Sequence, residues 1–160
     1  MAKKAPTRHS VQFDKQPGHL MRRMHQISVG IFMSEAESTG LTPVQFAALQ
    51  AVSQQPGIDQ KTLAKVVALD TSTTGGVIDR LEAREFIERR ASDQDRRVRL
   101  LFLTPEGEKK LDEALPVMLS AQEKILSPLS AAEQQTFMQL LSQLVNENNA
   151  FSRAPSQSTT

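Results

Sequence analysis

The sequence predicts a mainly α fold with a minor β component: a small helical centre carrying a two-stranded ribbon, flanked by long helices from both chain ends. Three observations predict it. Apolar residues recur at three- and four-residue steps in several stretches, each bounded by Gly, Pro or a capping residue. The stretch 87–103 changes instead to strand-like alternation around a charged turn. The outermost helical stripes are also longer than their neighbours in the chain can cover.

Taken in order, residues 1–16 are polar, aperiodic and carry Lys3, Lys4, Arg8 and Lys15, which reads as a flexible arm. From Pro17, a first-turn residue, Leu20, Met21, Met24, Ile27, Ile31 and Phe32 define a helix expected to run to about Thr39, where Gly40 stops it. Thr42-Pro43-Val44-Gln45 combines an N-cap, a first-turn proline and a Gln able to close a capping box. Val44, Leu49 and Val52 give that second helix its inward face, and Gln55-Pro56-Gly57 ends it. Asp59 caps a short helix with Leu63, Ala64 and Val67 inward and Lys61 and Lys65 outward.

After a turn at Ala68-Leu69, Asp70 or Thr71 caps a helix whose Thr74, Ile78 and Leu81 point inward. Gly75 and Gly76 inside it each cost about 1 kcal/mol relative to Ala, so close approach to another backbone, of protein or DNA, is expected there. The ribbon turns at Ser92-Asp93-Gln94-Asp95. Its second strand should place Val98, Leu100 and Phe102 on one face and Arg97, Arg99 and Leu101 on the other. Thr104-Pro105-Glu106-Gly107-Glu108 opens a long helix with acidic residues at its positive end, and Pro116 should bend it. Ser130 to Glu133 is a capping box before a last helix with Phe137, Leu140, Leu141, Leu144 and Val145. The Ser/Thr/Pro/Gln end reads as a disordered tail.

Composition narrows the function. The chain has 160 residues and a formal net charge of +1, from 19 basic and 18 acidic side chains. Any basic surface must therefore come from where charges sit, not from their total. There is no cysteine, which excludes disulfides and thiolate metal sites and suits a reducing compartment. No apolar run reaches the ~20 residues of a membrane span, and no signal-peptide core follows the start, so a cytoplasmic protein with no membrane partner is expected. With neither Trp nor Tyr, stacking platforms for single strands are disfavoured. No Ser-His-Asp grouping, phosphate-cradling Gly loop or metal cluster is present, so neither an enzyme nor a cofactor is expected. His9, His19 and His25 form no pair one turn apart on a helix face, so no metal site is expected.

Residues 57–103 hold the chemistry. Two short helices, a small-residue entry into the second and an Arg-rich ribbon make a winged helix-turn-helix, equipment for duplex DNA. The outer helices, left with large apolar stripes, call for a twofold homodimer built from the first and last two helices of each copy.

The chain resembles the MarR family (multiple antibiotic resistance regulators) over roughly residues 17 to 150. Leu41-Thr42-Pro43-Val44-Gln45-Phe46, Asp79-Arg80-Leu81-Glu82, Asp93-Gln94-Asp95-Arg96-Arg97 and Leu103-Thr104-Pro105-Glu106-Gly107 carry the likeness. Each piece is weak alone; their order and spacing together are specific. The resemblance implies a dimeric repressor of a palindromic operator, released by a small, often aromatic and anionic, ligand. Gly18-His19-Leu20-Met21-Arg22-Arg23-Met24-His25-Gln26 is similar to members that sense aromatic or heteroaromatic carboxylates. On this reading 1–16 is the arm, 17–40 and 104–150 the dimerisation region, 41–103 the winged helix-turn-helix and 151–160 the tail.

Site roles follow. The helix Asp70–Arg84 is expected in the major groove with its N-terminal residues at base edges. Thr71, Ser72, Thr73, Thr74 and Gly76 make the DNA-contact set there, with Arg80 reaching a phosphate; a Thr-rich cap on a structural turn is the plain alternative. Gln60 and Lys61 suit backbone contacts, or an ordinary exposed turn. Arg89, Arg90, Arg96, Arg97 and Arg99 concentrate positive charge on the ribbon, so binding should fall steeply with salt. The resemblance pairs Asp95 with Arg97 to shape the wing. Family members often carry Arg at the wing tip where this chain has Gln94, and Arg suits a narrow minor groove better, so such reading would have to come from Arg96. For the effector, His19, Arg22, Arg23 and His25 lie within seven residues of one helix. With Met21, Met24 and Met33 as apolar walls, Arg22 and His19 suit a planar carboxylate; hydrogen bonds between helices or subunits are the competing use. The rival to a ligand-relieved repressor is a winged-helix protein-interaction module without ligand control.

Overall fold

The computed structural model describes residues 12–152. Six helices and a three-stranded sheet follow one another as α1 (Pro17–Glu35), α2 (Pro43–Gln54), β1 (Ile58–Asp59), α3 (Gln60–Val66), α4 (Thr71–Ala83), β2 (Ile87–Ala91), β3 (Arg99–Leu103), α5 (Pro105–Leu126) and α6 (Ala131–Glu147). Short 3-10 turns at Phe13–Lys15, Glu37–Thr39 and Asn149–Phe151 punctuate the ends. Most of the expected arm and tail, residues 1–11 and 153–160, lies outside the described residues.

Local chemistry sets most boundaries. Thr42 and Gln45 close the capping box of α2, with Gln45 N–H donating to Thr42 Oγ1 at 3.3 Å and Thr42 N–H to Gln45 Oε1 at 3.0 Å. The first helix stops earlier than its apolar stripe suggested. It ends at Glu35, and the Thr39 hydroxyl takes the Ala36 carbonyl at 2.8 Å while accepting Leu41 N–H at 3.2 Å. That tightens the chain into a 3-10 turn, which Gly40 leaves with φ +62°. Pro116 stays inside α5, which runs unbroken from Pro105 to Leu126. Glu133 accepts the Ser130 N–H at 2.8 Å at the head of α6.

The sheet order is β1-β3-β2, antiparallel throughout, with Ile58 and Arg89 both opposite Leu101. Leu101 is the strand's inward residue and is fully buried. The face expected to carry Val98, Leu100 and Phe102 is the outer one, and Val98 precedes the strand altogether. β1 was not anticipated: two residues show no period, and only pairing with β3 makes them a strand. Around Leu101 the core gathers Phe46, Leu49, Val52, Leu63, Ile78, Leu81 and Ile87. Each such side chain contributes about 1.5–3 kcal/mol on burial.

The long helices join this core from one side. Phe32 of α1 and Ala36 at its C-cap share the core with Ala114 and Ala121 of α5, whose small side chains let α1 and α5 close on each other. Glu35 ties them further, accepting Lys124 Nζ at 2.7 Å and Ser120 Oγ at 3.2 Å. Those two hydrogen bonds hold its carboxyl below its usual value. By contrast, α6 buries none of its residues within the chain. It is fastened to the end of α5 through Gln134, whose Nε2 donates to the carbonyls of Leu126 and Leu129 at 3.1 and 3.0 Å.

Candidate nucleic-acid interface

Two capped helix starts and one ribbon build the site. At the head of α3, Asp59 Oδ1 accepts the N–H groups of Lys61 and Thr62 at 2.8 and 3.0 Å, and Oδ2 accepts the Thr62 hydroxyl at 2.8 Å. At the head of α4, Asp70 repeats the arrangement with Thr73, taking its N–H at 2.8 Å and its hydroxyl at 2.6 Å. Between them the chain turns through Ala68, which adopts left-handed φ of +53°. The turn is locked by Leu69 N–H donating to Ala64 O at 2.9 Å.

These bonds shift the two carboxyls. The Thr73 hydroxyl, then its N–H, holds Asp70 below the usual aspartate value. For Asp59, burial pushes upward, but the Thr62 and Lys61 bonds outweigh it and the net direction is down. A depressed folded value adds stability above the unfolded value near about 4, and that stability is lost as pH falls through the folded value. Asp70→Ala should accordingly destabilise the chain and fray the first turn of α4, read by urea unfolding. Asp70→Asn, which still accepts the Thr73 N–H, should keep most of the cap and lose its acid sensitivity.

The start of α4 sorts into outward and inward residues. Thr71, Ser72, Thr73 and Arg80 are exposed. Thr74 is not: it is 1% exposed and its hydroxyl donates to Asp70 O at 2.9 Å, so it is a core residue and leaves the DNA-contact set. A Cβ at Gly76 would meet only the Arg80 guanidinium, 3.6 Å away, so this face of the helix is open. Gln60 is engaged: its Nε2 donates to Thr71 O at 3.0 Å, while Lys61 stands exposed.

The ribbon divides its arginines. Arg89 forks between Asp79 and Glu82 of α4, binding the wing to that helix. Arg90 pairs with Glu88 and lies over the Phe102 ring at 4.4 Å. Five arginines were expected to concentrate positive charge on the ribbon; two are spent on the fold, Arg89 on the carboxylates of α4 and Arg90 on Glu88 of its own strand and the Phe102 ring across from it. Arg96, Arg97 and Arg99 are exposed and form no ion pair among the described residues. The wing itself is shaped by Asp95, whose Oδ1 accepts the Arg97 backbone N–H at 2.9 Å and whose carbonyl accepts Val98 N–H at 2.9 Å. The implied Asp95–Arg97 partnership is thus made through the main chain, leaving the Arg97 guanidinium outside it. Gln94 sits exposed at the tip, its N–H on Ser92 Oγ at 3.3 Å.

The effector candidates share the start of α1. Arg22 donates to His19 Nδ1 at 3.2 Å, and the Phe13 ring meets the His19 ring edge-on at 4.6 Å. Arg23, His25 and Met33 are exposed on the same helix. The described residues form open grooves elsewhere. One of about 580 Å³ lies among Glu82, Glu85, Glu88, Arg89 and Glu106; one of about 380 Å³ runs along Leu129, Ala132, Phe137 and Leu140. Neither includes His19 or Arg22.

A capped helix-turn-helix, an open second helix and an Arg-bearing wing latched to it define a winged-helix DNA-binding protein. Residues 41–98 match the model of the MarR family. The chain is 34% identical over 128 residues to the transcriptional regulator HosA of Escherichia coli, covering 80% of this chain and 93% of that one. It is 31% identical over 134 residues to the transcriptional repressor NicR of Pseudomonas putida, covering 84% and 85%. Among solved structures, BpsR of Bordetella bronchiseptica, studied for regulation of its DNA binding by 6-hydroxynicotinic acid, superposes with a TM-score of 0.80 at 33% identity, covering 84% of this chain and 96% of that one. The chain belongs to the MarR family and is a DNA-binding transcriptional regulator rather than an enzyme. Among the described residues no helix is long and apolar enough to cross a membrane.

Proposed function

We propose that this chain is a homodimeric repressor of a palindromic operator, released by a small aromatic or heteroaromatic carboxylate. The observation that carries the DNA part is the open N-terminal turn of α4 beside a wing whose Arg96, Arg97 and Arg99 have no acidic partner among the described residues. Thr71, Ser72, Thr73 and Gly76 reach base edges in the major groove, Arg80 and Lys61 reach phosphates, and the wing follows the flanking backbone. In the dimer the two α4 helices stand about 34–36 Å apart, one turn of duplex.

Support for the dimer is the apolar surface left on the outer helices: Leu20, Met21 and Ile27 of α1, Leu115 and Leu119 of α5, and nearly the whole stripe of α6. Support for the effector is the Arg22–His19 pair on α1, an anion fork beside Met21 and Met24, together with likeness to a regulator controlled by 6-hydroxynicotinic acid. Such a ligand acts only as far as it binds one spacing of the two winged units better than another.

The test is footprinting of the purified protein upstream of its own coding region, at two salt concentrations, with a panel of benzoates and pyridine carboxylates. A palindromic footprint that weakens with salt and disappears with one compound is the expected result. A footprint that no compound alters overturns the effector assignment at Arg22 and His19 and leaves the DNA reading standing.

A further inference from the structure

Gln60 opens α3, yet its side chain reaches across to the next helix. The Nε2–Thr71 O bond of 3.0 Å is the only hydrogen bond between α3 and α4 among the described residues. Within α4 the Thr71 carbonyl is called on by the N–H four residues ahead, that of Gly75; Gln60 takes its second lone pair. To do so the amide must pass over residue 75. A Cβ there would stand 2.9 Å from Nε2 and 3.7 Å from the amide carbon. Only a residue without a Cβ leaves that path clear. The neighbouring Gly76 differs, since its Cβ would meet nothing nearer than the Arg80 guanidinium at 3.6 Å.

We propose that Gln60 is a positioning residue for DNA recognition and that Gly75 is the gap it requires. The latch sets the first turn of α4 against α3, and so where Thr71, Ser72 and Thr73 stand when the helix enters the groove. The inference rests on the DNA-binding reading. It assigns the two helical glycines separate tasks: Gly75 faces a side chain of its own chain, while Gly76 faces outward. Because the obstructing atom at Gly75 is the end of a flexible side chain, a methyl group there pushes the amide aside at little cost to the fold and opens the latch. Helix propensity moves the other way, since Ala is the better helix former. Stability and recognition therefore part company in a single variant.

The experiment compares full-length wild type with Gln60→Ala, Gly75→Ala and the double variant. The probe is a short duplex enriched by the wild-type protein from a random-sequence pool, with an unrelated duplex of equal length beside it. Each single substitution should weaken binding to the enriched duplex by about threefold to tenfold, the scale of one net hydrogen bond. The unrelated duplex, held by charge alone, should bind unchanged, and the melting temperature of Gly75→Ala should hold or rise. The double variant should be no weaker than the weaker single, because both substitutions open one latch. If Gly75→Ala weakens binding as much without the Gln60 side chain as with it, Gly75 touches DNA directly and the latch is overturned. Equal affinity of Gln60→Ala and wild type overturns it too, leaving the DNA reading intact. If the wild type enriches no sequence, both readings fall together.

Discussion

Gly107→Ala should destabilise the chain by about 3 kcal/mol, the upper end of what one added methyl group costs in a packed site. An ideal Cβ at Gly107 would lie 1.9 Å from the Phe86 carbonyl oxygen, 2.8 Å from its carbonyl carbon and 3.1 Å from its Cα. These are backbone atoms at the junction of α4 and β2, with no rotamer to swing away. The junction is also stitched from both sides. Thr104 N–H donates to Phe86 O at 3.2 Å, its hydroxyl donates to Glu85 O, and its Oγ1 accepts Gly107 N–H at 3.0 Å. To admit the methyl, α5 must lift off and break its own N-cap while uncovering Phe86, which is 6% exposed. Chemical denaturation of the full chain reads the loss. Gly76→Ala is the control: its Cβ would make only an ordinary contact with the Arg80 guanidinium at 3.6 Å, and it should gain up to about 1 kcal/mol from helix propensity. Near-equal stability of Gly107→Ala and wild type would mean that the junction yields and that the close approach is not a packing constraint.

Gly107 also marks where sequence stops being readable. The Thr104 cap, the Asp59 and Asp70 caps and the Thr42–Gln45 box are legible because each is settled within three residues. The identity of the backbone that crosses at Gly107 is not, because Phe86 is brought there only by the hairpin. A glycine in the first turn of an otherwise good helix was the available signal, and it read as part of a helix-opening motif. The arginines fail for the same reason. Five of them on one ribbon look like one positive surface, until the fold sets Asp79 and Glu82 of α4 beside Arg89. Gln60 reads as a solvent-facing first-turn residue, and only the packing of α3 on α4 gives its amide a partner. Thr74 is the converse case: the helical period points it inward, its hydroxyl suggests contact with DNA, and burial decides for the period. The effector region on α1 is the least legible, since its apolar neighbours on α1, α5 and α6 remain uncovered in the single chain.

Those uncovered neighbours set up the other large effect. In the homodimer proposed above, Leu140→Asp combined with Leu144→Asp should give a monomer and weaken operator binding by at least about 100-fold, the avidity of two linked half-site contacts. The two leucines lie four apart on one face of α6 and are 56% and 48% exposed. A 17-residue helix that buries nothing has little stability of its own in water. Its stripe of Phe137, Leu140, Leu144 and Val145 is the kind of apolar patch that a partner covers. The same exposure makes the experiment clean. Because no α6 residue belongs to the core around Leu101, two carboxylates there leave α2, α3, α4 and the sheet as they are. The expected species is a folded monomer, with one winged unit able to hold a half-site through charge and contact but unable to span two. Sedimentation gives the mass, circular dichroism reports the fold, and titration of full and half operators gives the binding. A loss confined to the full operator, with half-site affinity kept, places the effect in dimerisation and not in the recognition helix. A variant that remains dimeric at wild-type affinity would remove α6 from the interface and leave α1 and α5 to form it.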